Sequence, residues 1–267
     1  RSALGVTMTT VRILDLETNN LPWYGQLASP HNPENYVVMP GWRDDVMGGL
    51  PGPVQDLYFT SKEDEASCNW FNLTGVDLLV CHNASYEISW FLTRYRDEFE
   101  KFLKRGGRVL CTQQAEYILS NFVETYPSLD ETAPKYGGTP KVDGIKELWK
   151  QGYLTSQIDP KLLREYLAGP NGDVENTARC FYGQLALLQE RGQWRMFLER
   201  CDALLAFAYC EFAGLHVNVE VAEANLAAQE AELATLKGQA QKLLPELPET
   251  LEFNWGSDYH MSALLFG

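Results

Sequence analysis

The chain has 267 residues, of which 45% are hydrophobic and 22% charged, proportions that are ordinary for a soluble globular protein. Its net charge of −14 has the wrong sign for a protein that grips duplex DNA over a broad face, unless divalent cations neutralise an acidic cleft. No apolar run approaches the roughly 18 residues of a membrane span, and the opening residues lack the layout of a signal peptide.

The first predicted element is a short apolar strand that is followed at once by acidic residues. Residues 11–14 are apolar and partly β-branched, which indicates a central strand. Asp15 and Glu17 come directly after this run, and we expect both carboxylates to reach one cleft because the strand ends there. A long irregular stretch rich in proline and glycine follows, with a further strand predicted at residues 58–60.

Strands and helices alternate in the middle of the sequence. Residues 77–83 form a second buried strand that runs into a turn, and a helix is predicted from Ile88 to about Leu103. Residues 108–111 predict a third strand, and residues 112–120 predict the helix after it. This alternation favours an α/β fold in which helices pack on a sheet.

The remaining sequence is predicted to be helical from about residue 143. The breaker at residues 169–172 precedes a helix with Asp173 at its N-cap, where a carboxylate is favoured. The buried face of that helix is predicted to carry Val174, Ala178, Phe181, Leu185 and Leu188. Residues 199–216 and 221–244 predict two more helices, and leucines on one side of the second indicate a helical subdomain rather than a coiled coil.

Six cysteines are scattered without CxxC spacing, and no secretory signal precedes them. This usage favours reduced structural thiols over disulfides or a zinc site. The sequence therefore predicts an intracellular, cytoplasmic protein.

Four acidic residues, Asp15, Glu17, Glu87 and Asp173, stand in three well-separated places, each at the end of a predicted element. Each has a structural alternative: a solvated surface acid for the first two, a first-turn helix acid for Glu87, and an N-cap for Asp173. Together they match the needs of phosphodiester hydrolysis, for which two divalent ions roughly 3.5–4 Å apart supply a nucleophile and neutralise charge. Carboxylates are the ligands that suit Mg²⁺ or Mn²⁺.

The spacing Asp15-x-Glu17, Asn83-x-x-Tyr86-Glu87 and Asp173 resembles the three motifs of the DEDD, ribonuclease-H-like 3′→5′ exonucleases. The intervening sequence is similar to the proofreading domain of phage-type family A DNA polymerases, at residues 112–119, 126–129, 141–142, 148–152 and 172–177. Residues 211–217 resemble the entry to the polymerase thumb, and residues 253–257 with 264–267 resemble a segment deeper in that thumb.

The resemblance implies an α/β, ribonuclease-H-like exonuclease domain at residues 8–198, with a mixed sheet flanked by helices. It implies a partial, mostly helical thumb segment at residues 199–267. The expected activity is removal of nucleotides from single-stranded or frayed DNA 3′ ends with two divalent cations, Mg²⁺ or Mn²⁺. The expected partner is the rest of a polymerase, its palm and fingers, in the host cytoplasm if the protein is phage-encoded; this chain alone is expected not to polymerise.

The same resemblance assigns roles to individual residues. Asp15 is expected to bridge both metals, Glu17 and Asp173 to bind the nucleophile-side metal, and Glu87 to serve the other through water. The terminal nucleotide is expected to be held by the backbone around Leu16 and Thr18 and by the side chains of Asn83 and Tyr86. Single-stranded ends bind such sites by stacking and backbone contacts rather than by base readout.

Two positions depart from the family pattern. Glu87 stands where the family has aspartate, and Gly169 stands where it has a tyrosine four residues before the third-motif aspartate. Tyr166 is then the candidate to orient the attacking water, or else a core aromatic residue. These departures keep open an alternative function, a catalytically degenerate exonuclease fold that serves as a structural platform for the polymerase or a partner. An RNA-trimming exonuclease is a third hypothesis, which the thumb-like tail disfavours.

Overall fold

A computed structural model of the chain describes residues 9–139, 144–244 and 253–267. The chain divides into two compact units between Ala213 and Gly214. The boundary predicted after residue 198 falls inside helix α9 (Trp194–Ala213), the whole of which belongs to the first unit. The predictions that concern Met8, Lys141 and Val142 lie outside the described residues.

The first unit is built on a five-stranded mixed sheet with the strand order β3-β2-β1-β4-β5. The strands are β1 (Thr10–Thr18), β2 (Val37–Val46), β3 (Val54–Asp56), β4 (Leu78–Cys81) and β5 (Arg108–Cys111). β1 is antiparallel to β2 and parallel to β4, and β4 is parallel to β5. The predicted α/β class is confirmed, as are the strands predicted at residues 77–83 and 108–111.

The central strand β1 is buried on both faces. Val11, Ile13, Leu14 and Leu16 are all at most 5% exposed, although they alternate in direction along the strand. A strand that is covered on both sides reads as a nearly continuous apolar run, which explains why the sequence signal was clear here. Since β1 and β4 are parallel, their carboxyl ends lie at the same edge of the sheet.

Helices of the first unit flank this sheet. They are α1 (Lys62–Ser67), α2 (Ser85–Arg94), α3 (Arg96–Lys104), α4 (Thr112–Leu119), α5 (Leu129–Thr132), α6 (Gly144–Lys150), α7 (Pro160–Ala168), α8 (Asp173–Glu190) and α9. α7 and α8 pack against β1 and β2, whereas α9 packs against β5 and α2. On α8 the side chains of Val174, Ala178, Phe181 and Leu188 are buried, as predicted, and Leu185 is partly buried.

The sheet differs from the sequence-based prediction at two strands. The strand expected at residues 58–60 lies instead at β3, and β2 was not predicted. β2 begins with the apolar residues 37–39, but Pro40, Gly41 and the charged residues 43–45 that follow are more typical of a loop. Those charges are satisfied within the fold, because Arg43 pairs with Asp45 at 2.7 Å and Asp44 pairs with Arg12 at 2.6 Å.

The single helix expected from Ile88 to Leu103 is divided in two. The backbone leaves helical geometry at Tyr95, with φ of −127° and ψ of 28°, so that α2 ends before it and α3 starts after it. The Tyr95 hydroxyl hydrogen-bonds to Glu65, and the indole N–H of Trp70 donates to that hydroxyl at 3.3 Å. Tertiary contacts of this aromatic residue thus accompany a break that helical periodicity could not indicate.

The second unit contains α10 (Val219–Gln241) and α11 (Asp258–Phe266), in agreement with the helical segment that the sequence predicted. α10 starts with Asn218 as its N-cap, whose side chain accepts from the Val221 amide at 3.1 Å. The leucines predicted to share one side, Leu226, Leu233, Leu236 and Leu243, are exposed. Across the described part of the chain, no helix has both the length and the apolar composition needed to cross a membrane.

Candidate metal centre

Asp15 and Glu17 lie within β1 rather than after its end. The strand continues to Thr18, so the expectation that a strand end brings the two acids together is wrong. Residues two apart in a strand point to the same face, and this period places both carboxylates on one side of the sheet. β4 pairs with β1 only from Val11 to Ile13, so both acids lie beyond the last residue of β1 that pairs with β4.

Asp173 reaches the same place from the other end of the sequence. α8 begins at Asp173 with Gly172 as its N-cap, so the predicted N-cap role for this aspartate is wrong and it lies in the first helical turn. α8 packs against β1. One carboxylate oxygen from each of Asp15, Glu17 and Asp173 lies within 4.8 Å of the others.

Glu87 is the fourth acid of the set, and it lies in the first turn of α2. The chain enters this helix through a left-handed turn at Asn83, whose φ of 58° is one that asparagine tolerates. Glu87 is 2% exposed, and its Oε2 has no hydrogen-bond partner in the described structure. Burial raises the pKa of Glu87 well above its usual value, and the charge of Asp15 raises it further.

A cavity of about 590 Å³ joins these acids to the other predicted site residues. That volume falls within the range of roughly 300–1,000 Å³ typical of small-molecule sites. Its lining includes every residue predicted for catalysis, metal binding or substrate binding: Asp15, Leu16, Glu17, Thr18, Asn83, Tyr86, Glu87, Tyr166 and Asp173. Three separate stretches of sequence therefore converge on one hollow.

Two of the predicted substrate-binding residues, Thr18 and Tyr86, contact each other through their side chains. The hydroxyl groups of Thr18 and Tyr86 share a short hydrogen bond across β1 and α2. Burial and the nearby carboxylates of Glu87 and Glu17 raise the pKa of Tyr86, so its hydroxyl stays protonated and can donate to an anionic ligand. Leu16 is 5% exposed, which fits the expected use of its backbone rather than its side chain.

Tyr166 lines the cavity although it stands seven residues before Asp173. It lies on α7, and its half-buried ring packs edge-on to Trp149, with centroids 5.8 Å apart. At Gly169, the position of the family's tyrosine, an added Cβ would lie 2.4 Å from the Glu165 carbonyl oxygen. The backbone therefore leaves no room for a side chain at position 169. Tyr166, by contrast, lines the cavity and packs against Trp149.

The donor set fits a hard divalent cation. The cluster of Asp15, Glu17 and Asp173 offers only carboxylate oxygens, which Mg²⁺ and Mn²⁺ prefer. The orphaned Oε2 of Glu87 adds a buried acceptor that a cation or its water ligand would satisfy. The buried thiol of Cys81 is near these charges, but burial and then Glu87 and Asp15 raise its pKa, so it stays a neutral thiol.

Hydrogen bonds behind the cavity hold its walls. The ring of His82 is fixed between the Thr112 hydroxyl, 2.8 Å from Nδ1, and the Pro127 carbonyl oxygen, 3.1 Å from Nε2. On the α8 side, Arg43 donates to Glu175 at 2.8 Å, two residues after Asp173. This ion pair ties the first turn of α8, and with it Asp173, to the middle of β2.

Several lining residues were not assigned to the site from the sequence. His82, Gln113, Tyr126, Ser128 and Thr155 all line the cavity. His82 stands next to the second motif, and Ser128 is the N-cap of α5 in a capping box with Glu131, so both carried local signals. Gln113 and Thr155 carried none, because only the tertiary fold brings them to the cavity.

Comparison of the sequence with protein-family models finds no match, and comparison with curated proteins finds none either. The functional conclusion therefore depends on the geometry of the site and on the motif resemblance.

Proposed function

We propose that this chain is a two-metal-ion 3′→5′ exonuclease that removes nucleotides from single-stranded or frayed DNA 3′ ends. The observation that carries the proposal is the convergence of Asp15, Glu17 and Asp173, with carboxylate oxygens within 4.8 Å, in a cavity that Glu87 also lines. Acids so close together are unfavourable unless cations or protons neutralise them. Bound divalent cations would neutralise the three carboxylates and so account for their close approach.

The sheet supports the ribonuclease-H-like form of this proposal. A mixed sheet in the order β3-β2-β1-β4-β5, with β2 antiparallel to its neighbours and helices packed against the sheet, agrees with the fold that the motifs imply. The separate helical unit from Gly214 onward is in keeping with a thumb segment. We accordingly propose proofreading, within a family A DNA polymerase, as the biological setting of the activity.

The proposed roles of the site residues are metal binding and contact with the terminal nucleotide. Asp15, Glu17, Asp173 and Glu87 would hold the cations, which when bound supply a nucleophile at neutral pH and neutralise charge on the phosphate. The protonated hydroxyl of Tyr86, which is hydrogen-bonded to the Thr18 hydroxyl, donates a hydrogen bond to the terminal nucleotide. Asn83, an exposed residue of the cavity lining, would contact the same nucleotide.

The test is shortening of a 5′-labelled single-stranded DNA in Mn²⁺, with a 3′-labelled copy to establish direction. Wild-type protein is expected to release nucleotides from the 3′ end only. Asp15→Asn and Asp173→Asn are expected to lower the rate by at least about 100-fold, since even outer-shell partners of metal ligands cost roughly 10–100-fold. Asp97→Asn, which neutralises an exposed acid on α3 outside the cavity, is the matched control. Cleavage by both site variants at the wild-type rate would disprove the proposal.

The alternative functions predict different results in the same assay. A catalytically degenerate platform would neither shorten the oligonucleotide nor bind Mn²⁺ in calorimetry, and Glu87 in place of aspartate is the feature that favours it. An RNA-trimming enzyme would cleave an RNA strand faster than DNA of the same sequence. The 2′-hydroxyl is the chemical difference available for that discrimination.

A further inference from the structure

Tyr126 combines a place in the cavity wall with a largely exposed ring. It lines the cavity of the acids, yet its side chain is 78% exposed. It also lines a second hollow of about 510 Å³, formed by residues 123–127 with Glu131 and Lys135. Tyr126 therefore lines both hollows, and within the described structure no other aromatic ring packs against it.

The backbone that carries this ring is held from both sides. The carbonyl oxygen of Pro127 accepts hydrogen bonds from His82 Nε2 at 3.1 Å and from Gln113 Nε2 at 3.2 Å. On the other side, the amide of Glu124 donates to Ser120 Oγ at 3.0 Å. An exposed aromatic ring on a fixed backbone can receive a flat partner with little further loss of conformational entropy.

Charge around the cavity disfavours recognition of a nucleic acid strand through its phosphates. No lysine or arginine is among the described residues that line the cavity. Lys135, in the second hollow, is already paired with Glu116 at 2.9 Å and Glu124 at 2.6 Å. Beyond any cations at the acids, this part of the protein offers a strand little positive charge, so its binding free energy must come from elsewhere.

We infer that Tyr126 is a stacking platform for a base of single-stranded DNA next to the terminal nucleotide, and that base stacking rather than phosphate pairing holds the strand here. The inference rests on the proposed function, because the acids of the cavity define where the terminal nucleotide lies. Aromatic side chains bind bases of any sequence, since every base offers a π face. Such a platform suits a site that must accept every 3′ end.

The experiment compares two 5′-labelled single strands, one intact and one abasic at the second and third nucleotides from the 3′ end. For wild-type protein the abasic strand is expected to show a KM at least about fivefold higher, the factor that corresponds to the lower limit of about 1 kcal/mol for base–aromatic stacking. Tyr126→Ala is expected to raise KM for the intact strand by a similar factor and to abolish discrimination between the strands, with kcat little changed. Tyr126→Phe, which keeps the ring, is expected to retain the wild-type preference.

Phe207→Ala removes another largely exposed ring, 69% exposed on α9 and outside the cavity lining, and is expected to behave as wild type. Equal KM values for both strands with wild-type protein, or unchanged discrimination in Tyr126→Ala, would overturn the inference. If wild-type protein cleaves nothing, the proposed function fails instead. The stacking inference is then decided by fluorescence anisotropy with the same strands carrying a phosphorothioate at the terminal linkage, where equal affinity of wild type and Tyr126→Ala overturns it.

Discussion

Asp15→Asn should make the metal-free protein more stable, although it changes a residue of the proposed metal site. Asparagine has nearly the same shape as aspartate but carries no charge. In the absence of cations, Asp15 faces two other carboxylates, those of Glu17 and Asp173, with oxygens within 4.8 Å. The substitution therefore removes repulsion and leaves packing almost unchanged.

The size of the effect follows from that separation. At an effective dielectric constant of about 20, two unit charges 4.8 Å apart repel by about 3.5 kcal/mol, and Asp15 takes part in two such pairs. Proton uptake limits the cost, because an aspartate of pKa about 3.9 in water can be protonated at pH 7 for about 4 kcal/mol. We therefore expect Asp15→Asn to stabilise the metal-free protein by about 3 kcal/mol, a rise in Tm of roughly 6–12 °C.

The assay is thermal unfolding followed by circular dichroism, in EDTA and again in Mn²⁺. For the wild type, Mn²⁺ at about 100 times its Kd should raise stability by about 2.7 kcal/mol. In Asp15→Asn the same Mn²⁺ concentration should produce little or no shift, because a ligand shared by the cluster is lost. The stability advantage of Asp15→Asn over the wild type in EDTA should therefore shrink or reverse in Mn²⁺.

Asp97→Asn is again the control, since it removes one exposed charge outside the cavity. In both EDTA and Mn²⁺ it should leave the free energy of unfolding within about 0.5 kcal/mol of the wild-type value, as ordinary surface substitutions do. A lower Tm for Asp15→Asn in EDTA, or an equal Mn²⁺ shift in both proteins, would refute the reasoning that the acids repel one another and share a cation.

Two further predictions concern the polar groups that support the site. Arg43→Met should lower the free energy of unfolding, measured by urea denaturation, by about 3 kcal/mol, because it leaves the buried carboxylate of Asp45 without its cation. A decrease below about 1 kcal/mol would contradict this prediction. Burial alone would raise the pKa of Glu116, but hydrogen bonds from Tyr136 and Lys135 outweigh it and lower the pKa. The free energy of unfolding of the wild type should therefore fall as the pH drops below the usual glutamate pKa of about 4.3, and Glu116→Gln should show a smaller decline. Parallel curves of unfolding free energy against pH for the two proteins would contradict this prediction.

Sequence patterns were sufficient where a residue's environment follows from its own neighbours. β4, β5 and the first half of β1 are short, mostly apolar runs buried in the sheet, and the face of α8 repeats at helical spacing. The turn at Asn83 was recognisable because few residues adopt a positive φ. These local signals place Asp15 and Glu17 two residues apart next to a buried apolar run and Asp173 at the start of α8, although they misjudge where β1 ends.

Other features depend on partners that are distant in sequence. β2 is a strand in spite of Pro40, Gly41 and its charged residues, because Arg12 and Glu175 pair with charges that would otherwise be costly to bury. Likewise Thr155 reaches the cavity because its amide donates to the side chain of Asn20 at 3.0 Å, 135 residues away. Neither relationship leaves a periodic trace, so neither could be predicted from the sequence.

The aromatic residue near Asp173 shows how backbone geometry can take precedence over motif spacing. The close approach of position 169 to the Glu165 carbonyl oxygen allows only glycine there, so a tyrosine at the family's spacing would displace the end of α7. Tyr166 lies three residues earlier on the same helix, nearly one turn away, and its ring reaches the cavity from there. A change of spacing in the motif therefore does not by itself remove an aromatic hydroxyl from the site. For this reason the altered third motif is weaker support for a degenerate fold than the sequence alone suggested.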